Sequence, residues 1–219
     1  MKQFIVRIIT LLFGLFLYAL GIVLSIKANI GYAPWEVFHV GLAQKTGMSI
    51  GTAVVLTGVV VVGIVLVLGE KIGLGTLLNM VLIGVFMDLI IISNIIPEQE
   101  TLTFGLLMLI IGLFIISLGS YFYIKAAFGA GPRDSLMVVL NRKAKLPIGI
   151  CRSTIELSVT IIGWILGGMA GIGTIISVIA IGFFIQFTFA LLKFIPSTVK
   201  HETLRQTYTN LRHSIKHTV

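Results

Sequence analysis

Apolar and polar positions in this chain alternate on the scale of whole segments. Six long apolar runs cover approximately 6–28, 49–69, 73–95, 104–124, 147–168 and 171–195. Each reaches the ~18 residues that a helix needs to cross a hydrocarbon core. Runs such as TAVVLTGVVVVGIVLVLG are apolar all round, whereas a membrane β-barrel strand would alternate. The pattern therefore predicts an all-α polytopic membrane protein. Two interruptions are more than turns, namely KANIGYAPWEVFHVGLAQKTG from residue 27 and KAAFGAGPRDSLMVVLNRK from residue 125. Small residues lead into Pro34 and Pro132, which suit a first helical turn. Glu36 and Asp134 follow two residues later, where an acid complements exposed N–H groups. Short helices are expected at about 34–46 and 132–144, too short to span.

These two segments belong to an internal duplication. Residues 14–92 align with 112–190 at a constant offset of 98, and 25 of the 79 positions are identical. Shared apolar residues carry little weight in such a chain. The recurrence of Gly21, Lys27, Gly31, Pro34, Gly73 and Thr76 as Gly119, Lys125, Gly129, Pro132, Gly171 and Thr174 carries much more. Three apolar segments per copy is an odd number, so the second copy is expected to enter the membrane from the opposite side. That arrangement, inverted-topology repeats, is common in secondary transporters. The expected organisation is a first repeat over 1–95, an external loop at 96–103, a second repeat over 104–195 and a basic tail from 196 to 219.

Charge sets the expected orientation. The chain has 16 Lys and Arg against 8 Asp and Glu, a net +8. With the N-terminus cytoplasmic, thirteen basic residues fall on inner segments. Only Lys27 and Lys45 fall outside, and Arg152 lies within a span. Both termini are therefore expected in the cytoplasm. This placement explains the basicity without a nucleic-acid partner. Lys2 and Arg7 before an apolar run superficially resemble a signal peptide. The run is long enough to span and recurs internally, so cleavage is not expected. In the tail, Leu204, Tyr208, Leu211 and Ile215 recur at helical spacing opposite Arg205, Arg212 and Lys216. An amphipathic helix on anionic lipid and a solvated tail both fit that pattern.

Ionisable groups within spans are costly and mark candidate sites. Arg152 and Glu156, four residues apart in the fifth span, share a face and can pair. Their counterparts in the first copy are Val54 and Gly58, so the duplication is broken there. Asp88 sits near the end of the third span, where it opposes the helix dipole, so either it hydrogen-bonds to another helix or it serves a solute pathway. Glu36, His39, Arg133 and Asp134 come from the short helices. Those helices either lie at the bilayer surface or dip inward, presenting free amides to an anionic group. The glycine-rich GLGT and GIGT segments (73–76 and 171–174) lack the strand and acid of a dinucleotide site. Close turns or helix contacts explain them. The single cysteine, Cys151, excludes an internal disulfide. No metal-binding pattern, cofactor motif or nucleophile set is present, so an enzyme is not expected.

GYAPWEVFHVGLAQKTGMSIG, GAGPRDSLMVVLNRK, RSTIE and GWILGGMAGIGT together resemble the YczE branch of the YczE/YyaS/YitT family of bacterial membrane proteins. The likeness runs to about residue 195. It departs mildly at Pro-Trp-Glu, where the branch has Pro-Trp-Asp. The resemblance implies a multi-span protein of the bacterial cytoplasmic membrane, and it supplies no substrate. The expectation is a small secondary transporter of a small organic or anionic solute. Arg152 or Arg133 would hold the anionic group, and Glu156 or Asp88 would carry a coupling proton. The competing expectation is an accessory membrane protein that moves nothing, and a homodimer is open under either.

Overall fold

The structure, a computed structural model, describes the backbone of residues 2–216 and the side chains of all of these except 2, 148, 197 and 212–216. The described elements are helical. They are α1 (Lys2–Lys27), α2 (Pro34–Thr46), α3 (Ile50–Val67), α4 (Leu74–Ile92) and α5 (Leu102–Lys125). α6 (Pro132–Ala144), α7 (Ile148–Ile165), α8 (Ile172–Leu191), a 3-10 turn (Pro196–Thr198) and α9 (Leu204–Lys216) follow. Among the described residues, α1, α3, α4, α5 and α8 are long and apolar enough to cross a membrane. Outward-facing Ile9, Phe13, Val60, Phe104 and Phe183 are exposed, which suits a surface bathed in lipid. The two short helices fall on the expected residues. The tail also forms a helix with Leu204 and Tyr208 exposed, while Ile215 of the expected stripe lies outside the described side chains.

The centre of the fold is the packing of α1 against α5. Glycines hold the helices so close that backbone meets backbone. A Cβ on Gly14 would lie 3.0 Å from the Gly119 carbonyl, and one on Gly21 would lie 2.6 Å from that of Gly112. Further along, Arg7 Nε donates to the Ala126 carbonyl (3.0 Å), and Gly105 abuts that of Ala28. Each seven-residue step up α1 is thus a seven-residue step down α5, so the helices run antiparallel. Small residues at such a seam let dispersion act over the whole contact where lipid offers no hydrophobic drive. Leu11, Leu15, Val23, Leu109 and Leu113 fill the flanks and are almost wholly buried.

Backbone features recur at the offset of 98. Positive φ occurs at Asn29 and Ala127, Gly31 and Gly129, Gly47 and Lys145, and Gly69 and Gly167. Contacts exchange in the same way. Gly75 N–H donates to the Phe128 carbonyl (2.7 Å), and Gly173 N–H donates to that of Ile30 (2.8 Å). Each Gly-x-Gly-Thr segment therefore opens a helix against the loop that leads into the short helix of the other copy. Thr76 and Thr174 hydroxyls accept the N–H of Gly73 and Gly171 at those starts. Close packing, rather than nucleotide binding, accounts for these glycines.

Both loops are also strapped from outside. Gln99 N–H donates to the Lys27 carbonyl (2.9 Å), and Glu202 N–H donates to that of Ala127 (2.9 Å). The second strap has an ionic clasp that the first lacks. Arg7 pairs with Glu202 at 2.7 Å, and its guanidinium stacks 4.3 Å from the Phe128 ring.

The two copies differ at α7. Gly51 of α3 and Gly84 of α4 press on each other's backbone, whereas their counterparts Gly149 and Gly182 have open space around them. The α3–α4 hairpin is closed and the α7–α8 hairpin is splayed.

Overpacking the central seam costs about 1–3 kcal/mol. Gly119→Leu should lower the thermal unfolding midpoint of detergent-purified protein, while Gly182→Leu should leave it within error of wild type. Equal effects of the two would contradict the packing described.

Candidate functional site

The short helices carry their N-termini into the protein. In α2, Pro34, Trp35, Glu36, Val37, His39, Val40, Gly41 and Ala43 are buried, and exposure begins at Gln44. A helix lying on a bilayer surface would expose one face along its whole length. In α6, Pro132, Ser135, Met137 and Val139 are buried. Neither helix has a side-chain cap, because Ala33 and Gly131 stand at the cap positions. The first-turn N–H groups thus lack side-chain partners. Gly163 of α7 and Gly168 in the turn after it allow the approach of α2, since a Cβ at either would collide with the backbone of Val37 or Phe38.

The two N-termini meet. Arg133, second residue of α6, donates to Glu36 Oε1 at 3.2 Å and lies 4.8 Å from the Trp35 ring. Positions 35 and 133 are equivalent under the duplication, so the contact lies where the copies face each other. Beside it is a cavity of about 200 Å³ to which α1 through α8 all contribute. Its polar lining includes Tyr18, His39, Asn79, Arg133, Asp134, Arg152 and Glu156. Arg152 Nε donates to Glu156 Oε1 at 2.8 Å, the pair expected from their spacing.

Asp134 faces the cavity with no hydrogen bond or ion pair among the described residues. Its Oδ2 and the Asn79 Nδ2 lie beside Gly131, 3.5 and 3.6 Å from where a Cβ would stand. Trp35 Nε1 and His39 Nδ1 are buried without hydrogen-bond partners, and both residues line the cavity. In native structures such atoms normally find a partner.

Six of the seven candidates therefore gather in one place. Glu36 stands behind Arg133, and His39, Arg133, Asp134, Arg152 and Glu156 line the cavity. Asp88 does not. Its carboxylate accepts the Ser49 hydroxyl (2.5 Å) and the Gly51 N–H (2.8 Å). It therefore caps α3, where a negative charge meets the positive end of that helix. Set against its own helix it looked misplaced, and the neighbouring helix supplies the reason. This is interhelical hydrogen bonding, one of the two roles expected of it, and it lies outside the cavity lining.

Tyr18 and Tyr123 were not anticipated. Tyr18 lines the cavity, and the Tyr123 hydroxyl donates to the Gly129 carbonyl at 3.0 Å. Their counterparts are Ile116 and Ser25, so the signal that exposed Arg152, a polar group where the other copy differs, marks them as well. Among the described residues no three His, Cys, Asp or Glu side chains gather as metal ligands.

Long apolar helices around a polar centre define a multi-pass helical membrane protein. Residues 5–190 match a family described as a family of unknown function (DUF6198), and the chain belongs to it. The chain is 36% identical over 191 residues to the uncharacterised membrane protein YczE of Bacillus subtilis strain 168, covering 86% of this chain and 88% of that one. An uncharacterised protein of Haemophilus influenzae strain Rd is 33% identical over 186 residues, or 85% and 84% of the two chains. The uncharacterised protein YyaS of Bacillus subtilis is 29% identical over 168 residues, 75% of this chain and 83% of its own. The kinship read from the motifs is thus shown. No solved structure matches the chain.

A charge-assisted hydrogen bond contributes about 1.5–3 kcal/mol. A double-mutant cycle of Glu36→Gln with Arg133→Gln should give a coupling energy of that order in unfolding measurements. A coupling near zero would show that the two N-termini do not hold each other.

Proposed function

We propose that this protein is a small secondary transporter of the bacterial cytoplasmic membrane, built from two inverted repeats of three spans. α7 is the sixth span in this reading. Its 18 residues extend about 27 Å at 1.5 Å per residue, and its only charges form the Arg152–Glu156 pair. The antiparallel seam between equivalent helices α1 and α5 supports the inversion. With the basic segments inside, both termini and the splayed α7–α8 hairpin face the cytoplasm.

The observation that carries the reading is the polar cavity between two re-entrant helix N-termini, with one flanking hairpin closed and its counterpart open. In transporters made of inverted repeats, such sites lie at the repeat interface near mid-membrane, and broken helices aim their N-termini at the substrate. The two repeats can exchange conformations around that fixed site. Here the Asp88 cap and the Gly51–Gly84 contact seal α3 to α4 on the external side. Arg152 and Glu156 of α7 stand across the cavity from Ile181 and Ile185 of α8. The molecule is thus caught facing the cytoplasm. Closing α7 onto α8 at Gly149 and Gly182 while α3 parts from α4 would turn the same cavity outward. Glu156 carries the coupling proton, and Arg152 releases or holds it by pairing.

The accessory-protein alternative predicts a dry, packed midplane. The cavity weighs against that.

Proteoliposome counterflow tests the reading. Glu156→Gln and Arg152→Ala should each abolish flux. Gly182→Leu should also abolish it by blocking the α7–α8 closure, although the fold tolerates the added bulk. Wild-type flux in all three would overturn the transport mechanism.

A further inference from the structure

The charges around the cavity restrict what can occupy it. Two cations, Arg133 and Arg152, are paired with Glu36 and Glu156. Arg133 is the less available: one Nη donates to Glu36, the guanidinium lies 4.8 Å from the Trp35 ring, and 26% of the side chain is exposed. Arg152 is more open. Only its Nε is engaged, and its side chain is 43% exposed, which leaves both Nη groups free to bind a carboxylate bidentately. On the other side of the balance, Asp134 has no cationic partner among the described residues, and its carboxylate and the Asn79 amide both border Gly131.

Beyond its two ion pairs, the site therefore offers the free Nη donors of Arg152 and the carboxylate of Asp134. Trp35 Nε1–H, a donor only, adds a demand for an acceptor atom. The α2 N-terminus adds its own donors, and their partial positive charge is already offset by Glu36 in the first turn.

Asp134 and the Arg152 side chain are both exposed to the open cavity, so a solute that displaces water from them must replace the hydrogen bonds that water made to each. A simple anion would satisfy Arg152 and leave Asp134 unmatched beside it. A simple cation would meet Asp134 and leave the Arg152 Nη donors, whose water it displaces, without an acceptor. A solute carrying both charges satisfies both. Its size follows from the space. A cavity of about 200 Å³ is about seven times the ~30 Å³ that one water occupies in the liquid, which suits a solute of roughly six to nine heavy atoms. Val54, Val61, Met80, Ile83 and Ile181 form an apolar wall for a short aliphatic part.

We infer that the substrate class is a small zwitterion of amino-acid size, its carboxylate on Arg152 and its ammonium on Asp134 and Asn79. This narrows the small organic or anionic solute of the transport reading and rests on that reading.

Four solutes of matched size separate the charge classes: alanine (zwitterion), lactate (anion), alaninamide (cation) and lactamide (neutral). Each is titrated against the detergent-purified full chain while the thermal unfolding midpoint is read, then offered in proteoliposome counterflow. Alanine should raise the midpoint of wild type with an apparent affinity at least about tenfold above the other three. Asp134→Asn and Arg152→Gln should lose that response, whereas Arg142→Gln, which removes only the outlying pair with Glu70, should keep it. Lactate acting as strongly as alanine on wild type, or an undiminished alanine response in Asp134→Asn, would overturn the assignment. The wild-type comparison decides even if Asp134→Asn fails to fold. Counterflow of lactate without alanine would leave transport standing and remove the zwitterion. No response to any of the four in either assay would count against both.

Discussion

The rest of this structure depends on the close antiparallel packing of α1 against α5. Four contacts spaced by seven residues bring a helix against its own duplicate, and glycine supplies most of them. Without that proximity the loops at 28–31 and 126–129 could not be pinned by the Gly-x-Gly-Thr starts of the opposite copy. The pinned loops in turn deliver Pro34 and Pro132 into the interior. A bilayer offers no water to satisfy a stray backbone group, so irregular chain at such depth survives only inside protein or against a wet cavity. Here both conditions are met, because the seam encloses the loops and the cavity receives the helix ends.

The energetics of the centre follow from matching. Each buried ionic group would be costly alone, and the fold answers with partners drawn from different elements. Glu36 of α2 meets Arg133 of α6, and Arg152 meets Glu156 within α7. Structure and chemistry part at Trp35 and His39, whose buried nitrogens are left over, while the Asp134 carboxylate, unpaired among the described residues, is exposed to the cavity. The other ion pairs among the described side chains, Arg7–Glu202 and Arg142–Glu70, lie at a strap or a helix end. Unmet polar atoms around one cavity are the feature on which the transport proposal rests.

Much of this was legible in the sequence. The apolar runs fixed the long helices to within a few residues, and Pro34 and Pro132 marked the short ones, because proline at a first turn is a local signal. The spacing of Arg152 and Glu156 foretold their pairing for the same reason. What required tertiary structure was any partnership between elements. Glu36 and Arg133 stand 97 residues apart, and nothing local couples them. Asp88 was read against its own helix, while its partners Ser49 and Gly51 begin another. The splaying of α7 was also invisible, since Gly149 and Gly182 repeat Gly51 and Gly84 in sequence yet not in contact. A duplicated sequence fixes the contacts available to both halves, and it does not say which half uses them in a given state.

That last point is where the mechanism stands or falls. Spin-label pairs at Ser49 and Ile92, flanking the closed hairpin, and at Pro147 and Ala190, flanking the open one, report the two mouths directly. They are introduced as cysteines in a Cys151→Ser background. Measured by pulsed dipolar spectroscopy in liposomes, each pair should show a short and a long population. Adding Gly182→Leu should leave only the short distance at 49–92 and only the long one at 147–190. A single distance at each mouth, unmoved by Gly182→Leu, would mean that the halves do not exchange and that the asymmetry is fixed architecture.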